Sequence, residues 1–272
     1  MQPAIQLNSV TCTFGVTGRN KQPYTAVRDA SLTLGDGEFV AIVGPTGCGK
    51  TTLLNVAAGL LDPTVGTVQI FGSQFEGVNK HAAYMFQTDA LLPWLTAREN
   101  VSLGLELRGI GKVEAGERSE AWLRRVGLGS HGEKYPHQLS GGMKKRVALA
   151  QVLVIEPRIL LMDEPFSALD VQTRRLMENE LLDIWSTEKK SVLFVTHDLE
   201  EAISLSDRVV VLSTGPEACP ITEFFIDLPR PRDVTEIIHS LRYLEIHKMI
   251  WSELKEEVLK SYRRSMGEPA AA

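Results

Sequence analysis

The sequence predicts an α/β protein, and three observations carry that expectation. Short runs rich in β-branched residues alternate with longer segments of helical period, the pattern of a largely parallel sheet covered by helices. Several of these runs are apolar throughout, as strands buried on both faces must be. One of them, Phe39-Val40-Ala41-Ile42-Val43, feeds into a glycine-rich turn and then into a helix patterned by Leu53, Leu54, Val56 and Ala57.

Taken in chain order, the predicted strands are Ile5–Phe14, Phe39–Val43, Ala83–Phe86, Ile159–Asp163, Val192–Thr196 and Arg208–Leu212. Between Leu91 and Glu156 the strand signal fades. Helical segments rich in Arg, Glu and Leu take over there, broken by Gly109-Ile110-Gly111 and Gly127-Leu128-Gly129, which reads as a helical subdomain inserted into the order of the sheet. After Pro229-Arg230-Pro231-Arg232, the residues Ile237, Leu241, Leu244, Met249, Ile250, Leu254 and Val258 fall near helical spacing. This predicts a C-terminal amphipathic helix packed on the core, with a regulatory or dimer-supporting helix as the alternative. Ala270 to Ala272 form a small alanine tail.

Composition sets limits. The 272 residues include 29 Lys plus Arg against 34 Asp plus Glu, and the net charge of −5 gives no electrostatic reason to expect nucleic acid as a partner. Cys12, Cys48 and Cys219 are few and scattered, which fits free thiols in a reducing compartment. Met1-Gln2-Pro3-Ala4 lacks a basic segment followed by an apolar core. No apolar run approaches the roughly 18 residues that span a bilayer, so the expected location is cytoplasmic and any membrane role peripheral.

The turn after the second predicted strand is Gly44-Pro45-Thr46-Gly47-Cys48-Gly49-Lys50-Thr51, which fits the P-loop pattern. Glycines let successive backbone N–H groups and a helix N-terminus point at phosphate oxygens. Lys50 supplies a compact charge for the β- and γ-phosphates, and the Thr51 hydroxyl is placed to ligate Mg²⁺. Cys48, beside Lys50 and a helix N-terminus, sits where a thiol pKa can be lowered, although its simplest role is that of a small residue. A glycine turn that merely contains a lysine is the plainer alternative, and the strand before and helix after it argue against that.

A second element is Ile159-Leu160-Leu161-Met162-Asp163-Glu164-Pro165, an apolar strand ending in two adjacent carboxylates. Ligands bind at that edge of an open α/β sheet. Asp163 suits a magnesium-holding role, partly through water, and Glu164 suits a general base that polarises an attacking water. A pair of solvated acids before a proline turn is the alternative.

The third element, Leu139-Ser140-Gly141-Gly142-Met143-Lys144-Lys145-Arg146, opens a helix that continues through Val147, Leu149, Ala150 and Leu153. Here the chain resembles the ATP-binding cassette (ABC) ATPase family, whose signature is Leu-Ser-Gly-Gly-Gln; Met143 departs from it. The resemblance implies a P-loop NTPase fold with a RecA-like core, an inserted α-helical subdomain and an N-terminal antiparallel β subdomain. It divides the chain into an ATPase domain at 1–228 and a helical tail at 229–272. Within the former, the core and β subdomain take about 1–87 and 159–228, and the signature subdomain about 88–158. Lys144-Lys145-Arg146 reads as a solvated helix face in preference to a nucleic-acid patch.

The resemblance implies ATP and Mg²⁺ as cofactors and assigns roles along the chain. ATP would lie on Phe14, Gly44, Pro45, Thr46, Gly47, Cys48, Gly49, Lys50, Thr51 and Thr52. The signature residues Ser140, Gly141 and Gly142 would cover ATP bound to the other subunit of a head-to-tail homodimer. Gln87 matches the Q-loop glutamine, a sensor of γ-phosphate and Mg²⁺; Ser167-Ala168-Leu169-Asp170 looks like the D-loop; His197 matches the switch histidine. Catalysis would rest on Glu164, His197, Gln87 and Lys50, and magnesium on Thr51, Gln87 and Asp163. Phe14 is the expected adenine stack, with Tyr24 as the alternative across a polar Gly15–Pro23 loop. His81, His131, His137, His239 and His247 have no comparable context.

A finer resemblance rests on Gln87-Thr88-Asp89-Ala90-Leu91-Leu92-Pro93-Trp94-Leu95-Thr96, on the signature with Met143, and on Leu228-Pro229-Arg230-Pro231-Arg232 with Ile250-Trp251-Ser252-Glu253-Leu254. These look like the ATPases of nitrate, sulfonate, taurine and bicarbonate importers. That implies transmembrane permease subunits as partners, indirectly a periplasmic solute-binding protein, and a peripheral place at the cytoplasmic face of the membrane. Leu91, Leu92 and Trp94 would then meet a permease helix or, alternatively, form a satellite core. The other class in view is a soluble ABC ATPase without a permease, acting in assembly, repair or translation.

Overall fold

The structure, a computed structural model, describes residues 2–15 and 23–266. Most of the expected Gly15–Pro23 loop and the alanine tail lie outside the described residues. Strand β1 (Ile5–Phe14) alternates buried and open positions and pairs antiparallel with β2 (Tyr24–Leu34), which sets Phe14 opposite Tyr24. Next come β3 (Phe39–Val43), buried along its whole length, and helix α1 (Lys50–Ala58). β4 (Val65–Ile70) and the short β5 (Ser73–Gln74) complete a four-stranded antiparallel sheet in the order β2-β1-β4-β5.

After β6 (Ala82–Met85), three helices follow without an intervening strand: α2 (Ala97–Leu107), α3 (Lys112–Arg125) and α4 (Gly141–Leu153). They share a core of their own, built around Val101, Leu105, Leu123 and Val147. Thr96 starts α2 with a capping box, accepting from the Glu99 N–H while the Glu99 carboxylate accepts from the Thr96 N–H.

The chain then returns through β7 (Ile159–Asp163), α5 (Val171–Glu188), β8 (Ser191–Val195), α6 (Leu199–Leu205) and β9 (Arg208–Leu212). It ends with β10 (Pro220–Phe225), α7 (Val234–Ile237) and α8 (Leu241–Ser265). The main sheet runs β10-β9-β3-β8-β7-β6, parallel except for β10. Strands β3, β7, β8 and β9 are buried at every residue, which explains their unbroken apolar composition. The chain is thus α/β, with a parallel core, a helical insertion and an antiparallel N-terminal sheet, as expected.

Three expectations shift. Two strands begin one residue earlier than their composition suggests, at Ala82 and Ser191, because Phe86 and Thr196 already lie past the last ladder pairs. The strands β2, β4, β5 and β10, which no apolar run announced, are edge or half-open strands. The packed face of α8 also differs. Tyr243, Ile246, Ile250, Leu254 and Glu257 are buried, whereas Leu241, Leu244 and Met249 are more than half exposed. The segment before α8 is anchored rather than loose. Arg232 is buried and donates to the carbonyls of Ile203, Ser204 and Ser206 at the end of α6 and of Ile226 and Leu228 after β10.

Candidate functional site

The C-terminal ends of β3, β7 and β8 open on one cleft. Its volume is about 490 Å³, and it is lined by Phe14, Tyr24, Thr46, Gly47, Cys48, Gly49, Lys50, Thr51 and Thr52, with Gln87, Glu164 and His197. Between β3 and α1 the turn bends through Gly47 (φ 77°) and Gly49 (φ 92°), the latter being the N-cap of α1. A Cβ on Gly49 would stand 2.6 Å from Val27 Cγ1, and one on Gly44 would stand 2.8 Å from Cys48 Sγ. Glycine avoids both contacts, and at Gly49 it also takes the positive φ without strain. Lys50 is 6% exposed, and its ammonium donates to the carbonyls of Gly44 (2.9 Å) and Pro45 (3.1 Å), curled into the loop it belongs to.

Thr51 and Asp163 meet at the inner edge, with Thr51 Oγ1 donating to Asp163 Oδ1 at 3.1 Å and Tyr84 OH to Asp163 Oδ2 at 3.4 Å. Burial pushes the Asp163 carboxyl above its ordinary value, and Glu164 beside it adds to the rise. Burial first, and then Asp163, pushes the Tyr84 hydroxyl well above its ordinary value. A hydroxyl and a carboxylate at this spacing form a hard-oxygen pair of the kind Mg²⁺ takes beside phosphate and water. Among the described residues no group of three His, Cys, Asp or Glu could hold a metal unaided. The donor set therefore fits a magnesium ion that arrives with phosphate.

Glu164 holds the centre of the outer edge. Its backbone adopts φ 43°, a left-handed conformation rare for a residue with a side chain, and its N–H donates to Val195 O at 2.8 Å. Oε2 accepts from Gln87 Nε2 at 3.1 Å and lies 3.0 Å from His197 Nδ1. Three segments remote in sequence thus converge on one carboxylate oxygen. Behind it, Ser167 Oγ donates to Glu164 O at 3.0 Å, and Asp170 caps α5 by accepting from Thr173 N–H at 3.0 Å. Ala168 and Asp170 are exposed and Leu169 is buried.

Cys48 is 1% exposed, and burial pushes its thiol up despite Lys50 and the helix amides. The activated thiol that its neighbours suggest is therefore corrected: desolvation outweighs the nearby charge. Phe14 and Tyr24 both line the cleft as cross-strand partners and are 41% and 46% exposed, so the cleft offers two open aromatic rings where one was expected.

The signature segment is not in this cleft. Ser140 is the N-cap of α4, accepting from Met143 N–H at 3.3 Å, and Ser140 and Gly141 face outward. Gly142 backs onto α5: a Cβ there would stand 2.7 Å from Thr173 Cγ2. Lys144 and Arg146 are half-buried; Arg146 pairs with Glu180 at 3.1 Å, so the basic run is tied into the helical layer. Lys145, expected on a solvated helix face, is buried instead. It is 2% exposed and bridges α4 to the Gln87 segment, donating to Gln87 O at 2.6 Å with Asp89 at 3.2 Å.

Trp94 is 69% exposed and does not join a satellite core, whereas Leu91 packs half-buried against one. Next to the Gln87 segment lies a groove of about 360 Å³, lined among others by Phe86, Ala90, Leu103, Leu107 and Val152. No helix among the described residues is long and apolar enough to cross a membrane.

Comparison with known proteins gives this geometry its context. Residues 27–167 match the family described as ABC transporter. The chain is 46% identical over 264 residues, 97% of its length and 96% of the relative's, to an uncharacterized ABC transporter ATP-binding protein of Methanocaldococcus jannaschii. It is 49% identical over 195 residues (72% of this chain, 76% of the other) to a taurine import ATP-binding protein of Mesorhizobium japonicum. To a bicarbonate transport ATP-binding protein of Synechocystis it is 42% identical over 228 residues (83% and 81%). Among solved structures it superposes on a dimeric ATP-binding cassette in a post-hydrolysis state with ADP and Pi. The TM-score is 0.73 at 30% identity, covering 83% of this chain and all of the other.

Proposed function

The chain belongs to the ABC transporter family, and on that premise we propose that it is the ATP-hydrolysing subunit of an importer for a small oxyanion or sulfonate such as nitrate, taurine, an alkanesulfonate or bicarbonate. The observation that carries the reading is Glu164, held by Gln87 and His197 at the mouth of the loop that contains Lys50 and Thr51. The importer names of two relatives support the solute class.

ATP phosphates would lie on the amides of residues 44–52, where the positive end of α1 meets them. Lys50 would leave the Gly44 and Pro45 carbonyls for the β- and γ-phosphates. Mg²⁺, held by Thr51 and, partly through water, by Asp163 and Gln87, would neutralise phosphate charge. The reacting water would be oriented by Glu164, which accepts its proton as the water oxygen bonds to the γ-phosphorus and the bond to the β–γ bridging oxygen breaks. Gln87 and His197 now share one oxygen of Glu164; turning toward the γ-phosphate would free that oxygen for the water.

Ser140, Gly141 and Gly142 do not line the cleft, so a second copy would have to bring its own α4 N-terminus to the γ-phosphate. The dimeric state of the superposed cassette supports this arrangement. Closure of two copies around two ATP molecules would move a permease seated in the groove beside Phe86, Leu103 and Leu107, at the cytoplasmic face of the membrane. We read residues 1–228 as the ATPase domain and 229–272 as its tail.

The experiment is uptake of a labelled panel of these solutes by the native host with the wild-type chain or Lys50→Ala. Selective loss of one solute names the substrate. Unchanged uptake across the panel overturns the importer reading for this solute class.

A further inference from the structure

The turn between β9 and β10, residues 213–219, lies between the C-terminal helix and the phosphate loop. At its start, Leu212 crowds Gly44: a Cβ there would stand 3.2 Å from both Leu212 Cβ and Leu212 O. A Cβ on Gly215 would stand 3.1 Å from Gly47 O and 3.5 Å from Cys48 Cα, so the bare backbone of Gly215 rests directly on the loop. On its other flank the turn is stitched to β2. Glu217 N–H donates to Thr25 O at 2.9 Å, Ala218 N–H to Ala26 O at 3.1 Å, and Arg28 N–H to Ala218 O at 3.0 Å. Ala26 and Val27 are also the residues that close on Gly49. The turn, β2 and residues 44–49 thus pack together at the start of α1.

Helix α8 fastens this assembly from outside. Glu257 is 5% exposed; its Oε2 accepts from Thr214 N–H at 2.6 Å, and Lys260 Nζ donates to Oε1 at 2.6 Å. Thr214 is buried just past the end of β9, so its N–H needs an acceptor from outside the ladder, and Glu257 supplies it. Two turns further along the same face of α8, Arg264 donates to Gly215 O. Burial pushes the Cys48 thiol up, and the Glu257 carboxylate adds a smaller push in the same direction, so its charge is felt at the loop.

We propose that Glu257 is a positioning residue for the nucleotide: through Thr214 and Gly215 it clamps Gly47 and Cys48 in the conformation that receives phosphate. A loop already held in its bound shape gives up less conformational freedom when it closes on an anion, so the clamp raises affinity without touching the bond that breaks. Removing the acceptor strands a buried N–H, and the turn must shift to find another. The inference rests on the reading that ATP phosphates lie on residues 44–52, and it extends that reading by giving the C-terminal helix a task at the site.

Two readouts on the full chain test it. Without nucleotide, the cysteines are labelled with N-ethylmaleimide and followed separately by peptide mass spectrometry. Glu257→Leu is expected to label Cys48 about tenfold faster, while Cys12, buried at 2% in β1, keeps its slow rate. Weakening of the whole fold would instead speed both. With Mg-ATP, the same variant is expected to bind nucleotide about tenfold more weakly, with kcat at saturation within about twofold of wild type. Glu257→Gln, which keeps an oxygen for Thr214 N–H, recovers slow labelling and tight binding, and Glu256→Gln on the exposed side of α8 changes neither. Should Glu257→Leu fail to fold, Arg264→Ala, at an exposed position, carries the test with a smaller shift in the same direction. Parallel acceleration of Cys12 and Cys48, unchanged ATP affinity, or an equal loss of affinity in Glu257→Gln overturns the proposal. A wild-type chain that binds no ATP overturns the nucleotide reading instead; labelling alone then decides the clamp, and equal Cys48 rates in wild type and Glu257→Leu overturn it.

Discussion

Lys145, on the helix that the signature serine caps, donates its ammonium to the main-chain carbonyl of Gln87 at 2.6 Å. One buried charge thus joins the Gln87 segment at the cleft to the helix that Ser140 caps. Asp89, 3.2 Å away, supplies the countercharge, so the lysine is not stranded.

Lys145→Met removes that joint while keeping the volume. The expected outcome is a kcat at least tenfold lower with ATP affinity changed less than about twofold, since the Lys50 loop is untouched. Lys145→Gln, which retains a donor, recovers part of the loss. Steady-state ATPase assays beside a nucleotide-binding titration check this, and a parallel fall in affinity would mean the residue only holds the fold together.

Glu164→Gln keeps one oxygen able to accept from Gln87 or His197, so the cleft retains its shape. It loses the acceptor for the proton of water. Turnover should fall about 100-fold or more while ATP binding survives, and an ATP-dependent dimer should accumulate on size-exclusion chromatography. Full hydrolysis by this variant would remove Glu164 from the role of base.

Arg232 gathers five carbonyls from two parts of the chain, three of them at the end of α6. Burial lowers the guanidinium to about 10, so it stays charged at neutral pH and counters the negative end of that helix. Arg232→Ala strands those acceptors. A loss of about 3 kcal/mol is expected, read as a fall of roughly 6–12 °C in thermal midpoint, with ATPase activity at low temperature largely kept. A midpoint unchanged within error would show that water replaces the side chain.

The phosphate loop was legible in the sequence because its determinants are local: an apolar strand, glycines at two positive-φ positions and a helix starting at Lys50. Strand β2 was not, since Arg28 and Asp29 interrupt its alternation and the register with β1 shifts around Val10 and Cys12. The α8 face was misread for a related reason. Apolar residues surround that helix, while its buried side includes Glu257, whose carboxylate accepts from Thr214 N–H at 2.6 Å. Nothing in Pro229-Arg230-Pro231-Arg232 marks Arg232 as buried, and only the approach of the α6 end reveals its work. The convergence of Gln87, Glu164 and His197 was read from the resemblance; no periodicity in those segments encodes it.

Glu178, buried on α5, carries a pH dependence of stability, because burial first and then Glu201 and Asp198 raise its carboxyl. The folded state holds its proton up to about 8, whereas an unfolded chain releases it near 4.5, so stability is fully present below the lower value and is lost as pH rises toward the higher. Glu201, raised to about 7 chiefly by burial, acts in the same direction. Glu178→Gln cannot ionise. Its stability relative to wild type should therefore climb between about pH 5 and 8 by an amount on the order of a few kcal/mol, read as a rising difference in thermal midpoint. A difference independent of pH would show that Glu178 is ionised throughout.

Phe14 and Tyr24 face each other across the β1–β2 ladder, both open and both lining the cleft. A purine stacks on one ring face, and the loss of such a stack typically costs about 1–3 kcal/mol. Phe14→Ala should therefore weaken ATP binding by roughly fivefold to 150-fold, and Tyr24→Ala by no more than about threefold if its ring only flanks the base. Because Glu164 and Lys50 would lie at the other end of the nucleotide, kcat at saturating ATP should hold in both variants. A discriminating control is GTP: a site that recognises the base mainly by stacking tolerates guanine, so ATP and GTP should lose affinity together in Phe14→Ala. Loss confined to Tyr24→Ala would transfer the adenine platform to β2.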